Sequence, residues 1–146
     1  MMINDMKNLI LGSGLLLLLF STACGDDDEL RLPTIDNLRL CVDINNAQCS
    51  GTQSSFAASD PQIHASVQVR DAEGDETVTF QWFIVENGTP TEAAQAVVNL
   101  SEAGEDEDFR AFSVLSSSTG AFPTGDFEVK ATLSTGDSVA KTFTIN

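Results

Sequence analysis

The sequence predicts an all-β domain, an antiparallel β-sandwich of about seven strands that follows a short apolar leader. Two observations lead to this prediction. Several short segments alternate apolar and polar residues, which is the pattern of a strand with one buried face. Turn residues separate these segments at a spacing of about ten residues. The chain has 146 residues, 42% of them hydrophobic, which is enough for one domain with a real core.

The charge of the chain limits its partners. Acidic residues number 22 and basic residues 7, which gives a formal net charge of −15. A field of that sign repels DNA, RNA and anionic lipid head groups, so we expect no nucleic-acid partner. The same charge suits a soluble surface protein, a cationic partner or a saline habitat, and it does not choose among them.

An apolar run near the N-terminus is typical of a secretory signal peptide. It reads LILGSGLLLLLF, spans 12 residues from Leu9 to Phe20, and has Lys7 as the only base before it. A transmembrane helix needs about 20 apolar residues, so this run fits the apolar centre of a signal peptide instead. Asp5 is unusual in a region that should be positive, and a start at Met6 would be more typical than one at Met1.

The residues after this run, Ser21-Thr22-Ala23-Cys24, resemble the lipobox of bacterial lipoproteins. Small residues precede the cysteine, as the peptidase requires, although Ser21 replaces the commoner Leu. The resemblance implies cleavage after Ala23 and acylation of Cys24, whose acyl chains would hold the mature protein on a membrane. The alternative is an ordinary secreted protein with a cysteine near its cleavage site.

A charged segment follows the cysteine and begins GDDDE at Gly25. The enteric signal for inner-membrane retention is an Asp at this position, whereas an acidic run slightly later resembles the export signal of other bacterial lineages. We therefore expect a lipoprotein on the outer membrane, at its periplasmic face or on the cell surface. The predicted organisation is a signal peptide over 1–23, a lipidated acidic tether over 24–34 and a domain over 35–146.

Two further cysteines, Cys41 and Cys49, lie eight residues apart in LCVDINNAQC. In an oxidising compartment we expect a disulfide between them. Closing so small a loop stabilises a fold by about 2–3 kcal/mol on the chain-entropy model. A redox pair or a metal site is the alternative. The spacing is not CxxC, however, and a single histidine, His64, is too little to complete a zinc site.

We predict strands at six alternating segments, residues 37–44, 63–70, 77–85, 109–115, 127–133 and 139–145. Residues 45–55 are predicted to form a loop held by the disulfide. Residues 92–100 are predicted to form either a short helical turn or an edge strand. The second and third strands should form a hairpin around residues 71–76. The predicted inward side chains are Ile63, Ala65, Val67, Val69, Val78, Phe80, Trp82, Ile84, Phe127, Val129, Ala131, Leu133, Phe143 and Ile145.

The C-terminal segment FPTGDFEVKATL, followed by KTFTI, resembles the last hairpin of an immunoglobulin-like accessory domain found in bacterial envelope proteins. The likeness covers about residues 35–146. Pro123 presets φ and Gly125 permits a positive φ, which together would launch the hairpin. The positions that match the family pattern are Phe122, Pro123, Gly125, Phe127 and Phe143. The resemblance implies an Ig-like fold and does not imply an activity.

Catalytic chemistry finds little support in the sequence, and we predict that the protein is not an enzyme. Nucleophilic catalysis needs a nucleophile beside a base, and His64 is the only imidazole. Its place in an alternating strand, opposite Val67 and Val69, predicts a solvent-facing histidine. No glycine-rich segment resembles a phosphate-binding loop.

Two acidic turns are candidates for calcium, which takes six to eight oxygen ligands. The first candidate set is Asp71, Glu73, Asp75 and Glu76, and the second is Glu105, Asp106, Glu107 and Asp108. Solvated turns in an acidic protein are the alternative, so we expect no resident cofactor. Trp82 suggests a sugar platform if exposed, but its apolar neighbours predict a core position.

These observations predict a lipid-anchored envelope protein with a non-catalytic binding or structural domain. A protein partner would meet a sheet edge or an acidic loop. The alternative is a small-ligand module that binds calcium or carbohydrate at the cell surface.

Overall fold

The computed structural model describes residues 31–100 and 108–146. The predicted signal peptide and most of the tether lie outside these residues, as do residues 101–107. The strands are β1 Thr34–Cys41, β2 Ile44–Asn45, β3 Gln48–Cys49, β4 Ser55–Phe56, β5 Gln62–Arg70, β6 Thr77–Glu86, β7 Thr89–Asn99, β8 Asp108–Ser116, β9 Gly125–Leu133 and β10 Ser138–Ile145.

The strands form a β-sandwich, as the sequence predicts. One sheet has three strands in the order β1-β5-β8, and the other has five in the order β4-β10-β9-β6-β7. A small two-stranded sheet, β2-β3, accompanies them. Among the described residues seven strands are eight residues or longer, in agreement with the predicted number. The pairing is antiparallel except between β4 and β10, which run parallel over two residue pairs.

The core between the sheets contains the side chains that the alternation predicts. On β5, β6, β9 and β10 all of the predicted inward residues are at most 3% exposed, except for the half-buried Ile84. Phe143 is at the centre of an aromatic cluster, with ring centroids 5.6 Å from Phe56, 6.1 Å from Trp82 and 5.4 Å from Phe127. Trp82 is therefore a core residue, and its indole N–H donates to Ser113 Oγ at 3.2 Å.

The predicted hairpin between residues 63–70 and 77–85 is wrong. β5 pairs with β1 and β8, whereas β6 pairs with β7 and β9. The two strands each carry a full row of apolar side chains, and placing them in opposite sheets buries both rows against each other. The connection between them crosses from one sheet to the other and uses positive φ values at Asp71 (55°) and Gly74 (96°).

Three other predictions are refined by the structure. The first strand begins earlier than predicted, at Thr34, and carries a bulge at Asn37, whose φ is 55°. Of residues 92–100, left open between helix and strand, all but Leu100 belong to the edge strand β7. The predicted C-terminal hairpin is confirmed, since β9 and β10 pair over their whole length and Gly125 has a φ of 141°.

The sandwich has two long sides, which we call closed and open. The closed side carries the edge strands β1 and β4 together with β10. There Asp137 Oδ2 accepts the Ile35 N–H at 2.9 Å, and Lys141 Nζ reaches Thr52 Oγ1 at 2.8 Å. The open side carries the edge strands β7 and β8, which contact each other.

Candidate binding surface

The edge strand β7 is positioned by a tight turn. Asn87 and Gly88 connect β6 to β7 with φ values of 50° and 78°. Positive φ at both central residues is the geometry of a type I′ turn, for which Asn-Gly is the preferred pair. This turn folds the eleven residues of β7 against β6 at the margin of the five-stranded sheet.

One backbone edge of β7 faces β6, and we call the opposite one its free edge. In an antiparallel pair, successive residues direct their backbone polar groups alternately at the partner strand and away from it. The Leu100 N–H donates to Glu76 O at 3.0 Å, just beyond the last paired residues of β6 and β7. Counting back in steps of two, the N–H groups of Val98 and Ala96 point toward β6. The intervening N–H groups point toward the free edge, and they belong to Gln95, Val97 and Asn99.

No strand in the described ranges 31–100 and 108–146 pairs with this free edge. The side chains beside it are also open to solvent. Val97 is 58% exposed, while Ala94, Ala96 and Val98 are half-buried on the inner face. The free edge therefore offers backbone donors and acceptors together with accessible apolar side chains.

The edge strand of the other sheet, β8, contributes two further exposed apolar side chains to the open side. Phe112 is 41% exposed and Val114 is 38% exposed, both on the outer face of the three-stranded sheet. Leu32, at the margin of the described residues, is the fourth large apolar side chain that is exposed there. Three of these four side chains thus lie on the two edge strands of the open side.

Acidic side chains surround the outer face of β6 and β7. Phe83 on β6 has Glu92 of β7 as its cross-strand neighbour on one side and Glu128 of β9 on the other. Gln81 Nε2 donates to Glu92 Oε2 at 2.8 Å, which holds the Glu92 carboxylate on this face. No described residue forms an ion pair with any of these carboxylates. The surface thus combines a half-buried aromatic ring with two carboxylates and one base, Lys130, which is the cross-strand neighbour of Gln81 on β9.

A shallow groove of about 530 Å³ lies on the same sheet, where β4, β10, β9 and β6 meet. Hydroxyl groups dominate its polar lining, with one carboxylate from Asp126 and an apolar contribution from Val85. Open grooves of this kind can accept hydrogen bonds but bury little of a small molecule. The hydroxyl residues are Ser54, Ser55, Thr142 and Thr144.

The predicted disulfide between Cys41 and Cys49 is present, and it fastens a small hairpin over the three-stranded sheet. β2 and β3 form this hairpin, and the turn residues Asn46 and Ala47 have φ values of 49° and 59°. The Cys49 N–H donates to the buried Ser66 Oγ at 3.0 Å. The hairpin therefore covers the outer face of β5.

This cover makes the prediction of a solvent-facing His64 wrong. His64 does point away from the core, as predicted, but its side chain is only 8% exposed. Its Nδ1–H donates to Val42 O at 3.1 Å. Burial lowers the pKa of His64 and outweighs the nearby Asp43, which acts in the opposite direction. The alternation of β5 predicts which face His64 occupies, but it cannot reveal a hairpin packed on that face.

The structure does not bring the first candidate calcium loop together as a metal site. Glu76 is 8% exposed, and its carboxylate accepts backbone N–H groups of Glu73 at 3.1 Å and Gly74 at 2.9 Å. Burial alone would raise the pKa of Glu76, but these backbone hydrogen bonds stabilise the anion and lower it overall. Glu76 is therefore the internal anchor of the β5–β6 connection, while Asp71, Glu73 and Asp75 are not gathered around it.

Within residues 31–100 and 108–146, no three His, Cys, Asp or Glu side chains are placed to hold a metal ion. The second candidate loop, residues 105–108, lies outside the described residues except for the backbone of Asp108. Cys24 also lies outside them, so its acylation stays a prediction. No helix in the described part of the chain is long and apolar enough to cross a membrane.

The sequence contained one unused signal for this surface. Asn87-Gly88 between two apolar strands is a strong hairpin signal. It predicts that the segment after it pairs back on β6 as a strand, which decides against the helical turn for residues 92–100.

Comparisons with known proteins give little further information. No model of a protein family matches the chain, and no curated protein matches it in sequence. Among solved structures, the chain is similar to a Niemann-Pick type C2 protein from the Japanese carpenter ant. The identity is 12%, the alignment covers 80% of this chain and 94% of that chain, and the TM-score is 0.46. The description of this chain as a β-sandwich depends on its own strand pairing.

Proposed function

We propose that the protein is a lipid-anchored protein of the bacterial outer membrane whose immunoglobulin-like β-sandwich is a non-catalytic module that binds a protein partner. The lipobox-like segment ending at Cys24 supports the anchor, and the acidic tether supports the outer-membrane location. The disulfide between Cys41 and Cys49 is consistent with an oxidising compartment outside the cytoplasm.

The order of the long strands supports the immunoglobulin-like part of the proposal. The first, second and fifth long strands along the chain (β1, β5 and β8) form one sheet. The seventh, sixth, third and fourth (β10, β9, β6 and β7) lie side by side in the other. This is the order of strands A, B and E against G, F, C and C′ in immunoglobulin-type sandwiches.

The observation that carries the binding role is the free edge of β7, which no described strand pairs with. Soluble proteins protect such edges because they template pairing with other chains. An edge left open with accessible donors and acceptors suits recognition by strand addition. The non-catalytic part is supported by His64, whose ring is buried against Val42 O rather than placed beside a nucleophile.

The small-ligand alternative loses support at Trp82 and at the first candidate calcium loop, whereas the second candidate loop lies outside the described residues except for the backbone of Asp108. Trp82 is a core residue with its N–H bonded to Ser113, so it is not a platform for a sugar ring. Glu76 is bound to its own backbone and does not face solvent as a calcium ligand would. We therefore favour a protein partner.

Crosslinking in living cells tests the binding role directly. The anchored protein is crosslinked, extracted in detergent and purified, and whatever travels with it is identified. Recovery of one recurrent envelope protein supports the proposal, and recovery of the protein alone contradicts it.

The anchor has its own test in Cys24→Ser. Without the thiol no acyl chain can be attached, so we expect the variant to leave the membrane fraction almost completely. Ser21→Leu, which restores the commoner lipobox residue, is the matched control and should stay with the membranes. A Cys24→Ser variant that still fractionates with membranes would contradict lipid anchoring.

A further inference from the structure

The free edge of β7 is protected along its first half and unprotected along its second. Natural edge strands avoid pairing through charged side chains, prolines and bulges. The first half has Pro90 and Glu92, and a bulge opposite the step from Trp82 to Phe83. Residues 94–99, AQAVVN, have no charge, no proline and no glycine. The protective features therefore end where the outward N–H groups of Gln95, Val97 and Asn99 begin.

The side chains of this second half would fit an added strand in which residues for the inner face alternate with residues for the outer face. The inner face presents Ala94, Ala96 and Val98, all half-buried, next to the apolar core. An added strand at the free edge would place every second side chain beside these small residues. Its other side chains would lie on the outer face beside Gln95 and Val97.

Charge selects among possible added strands. On the outer face, β7 carries the carboxylate of Glu92 and no basic side chain, whereas the more distant β9 carries both Glu128 and Lys130. The chain as a whole carries −15. A second copy of the chain would bring an equal negative charge to the same place, and like charges oppose association. A segment with basic residues on its outer face would be attracted instead.

We propose that residues 95–99 of β7 bind a basic, extended peptide segment of the partner by strand addition, with apolar side chains toward the core and basic side chains toward the outer face. The proposal rests on the proposed function, because it identifies the site and the chemistry of the protein partner. It assigns the contact to the open side of the sandwich and to one strand.

Val97→Pro is the decisive variant. In the parent protein the Val97 N–H points toward the free edge. Proline at this position therefore removes a donor for the added strand and leaves the backbone hydrogen bonds between β7 and β6 intact. Val97→Thr is the matched control, since it shortens the apolar surface but keeps the N–H and suits a strand. Thermal unfolding of both variants verifies that they fold.

The probe is a fluorescent peptide, Lys-Val-Lys-Val-Lys-Val-Lys, titrated with the full chain in detergent and followed by anisotropy. Two control peptides separate charge from strand addition. Glu-Val-Glu-Val-Glu-Val-Glu keeps the alternation and reverses the charge, whereas Lys-Val-Lys-Pro-Lys-Val-Lys keeps the charge and cannot form the full ladder. We expect binding of the first peptide only, at least tenfold weaker binding to Val97→Pro, and a change within twofold for Val97→Thr. Raising the salt concentration should also weaken binding.

Several results would overturn the proposal. Equal binding of the proline-containing peptide, or equal binding to Val97→Pro, would show that charge alone attracts the probe. Slow amide exchange at Val97 in the free protein would show that the edge is already covered, for example by residues 101–107 or by a second copy. If Val97→Pro does not fold, Gln95→Pro removes a neighbouring outward donor and serves in its place.

Site-specific crosslinking in cells separates this proposal from the proposed function. A photoreactive residue is placed at Val97 on the open side and, as a control, at Thr142 on β10. Capture of a partner from Val97 supports both proposals. Capture from Thr142 only would overturn the β7 site and leave the binding role standing, and capture from neither would contradict both.

Discussion

The closed and the open side of the sandwich end their sheets in different ways. On the closed side the edge strand β1 is tied to the opposite sheet by side-chain bonds from Asp137 and Lys141, and β4 pairs with the end of β10. The Lys141 ammonium sits between β10 and β1, where an inward charge opposes further pairing. On the open side β7 presents three outward N–H groups and the exposed Val97.

If β7 binds a partner as proposed, the difference separates stability from recognition. The closed side lies next to the aromatic cluster in which Phe143 contacts Phe56, Trp82 and Phe127. The open side has small side chains, Ala94 and Ala96, where it meets the core. Mutations on the closed side should therefore change the free energy of unfolding, while mutations on the open side should change binding.

The largest expected effect comes from comparing Phe143→Ala with Val97→Ala. Phe143 is 3% exposed at the centre of the aromatic cluster, so its removal should lower the free energy of unfolding by about 3–5 kcal/mol. Val97 is 58% exposed, so its truncation should cost less than about 0.5 kcal/mol. Urea denaturation followed by Trp82 fluorescence measures both values. Similar losses of stability in the two variants would contradict the distinction between the closed and the open side.

Removal of the disulfide should have the next largest effect. In Cys41→Ser/Cys49→Ser the eight-residue loop is no longer closed, and we expect a loss of about 2–3 kcal/mol in the free energy of unfolding. The hairpin over β5 should also open, so the amide protons of residues 44–49 should exchange faster. The single variant Ser50→Ala, beside the loop, is the control. An unchanged unfolding curve would mean that the hairpin is held by its contacts with β5 alone.

Glu76→Gln should have a smaller effect than removal of the disulfide, with a defined pH dependence. Hydrogen bonds from backbone amides hold the folded pKa of Glu76 below its ordinary 4.5. The anion therefore contributes stability that is fully present above about pH 4.5 and is lost as the pH falls through the folded pKa. At neutral pH we expect Glu76→Gln to cost about 1 kcal/mol.

The backbone carbonyl of Glu76 accepts the Leu100 N–H at the end of β7, so the connection that the Glu76 carboxylate stabilises lies directly beside the open side. The free energies of unfolding of the variant and the parent protein, measured by chemical denaturation, should differ at pH 7 and converge as the pH falls through the folded pKa of Glu76. A difference that grows at acid pH would contradict the assigned role. Glu73→Gln, whose carboxylate accepts none of these bonds, is the matched control.

The predictable part of this fold comes from local patterns. The rows Val78, Phe80, Trp82 and Phe127, Val129, Ala131 are buried because strand geometry sends alternate side chains to one face. That rule depends only on the order of residues. The same holds for Gly125 at the start of β9, whose φ of 141° is open to glycine because it has no side chain.

The sheet partners of a strand follow from packing over the whole molecule. Residues 63–70 and 77–85 have the pattern of a hairpin, yet they lie in opposite sheets because two apolar faces are best buried against each other. His64 is buried because the β2–β3 hairpin, which precedes β5 in the chain, packs over the face of β5 that carries it. Neither outcome can be predicted from the alternation of apolar and polar residues within the strand.

By itself, the sequence determined the long strands, their inward faces and the disulfide pair, because each depends on residues close together in the chain, and the lipid anchor stays a prediction. Only the tertiary structure decided which edges are closed, that Glu76 binds its own loop, and that β7 presents its second half to solvent. Those features depend on which strands become neighbours, and that choice is made by burying all of the apolar faces at once.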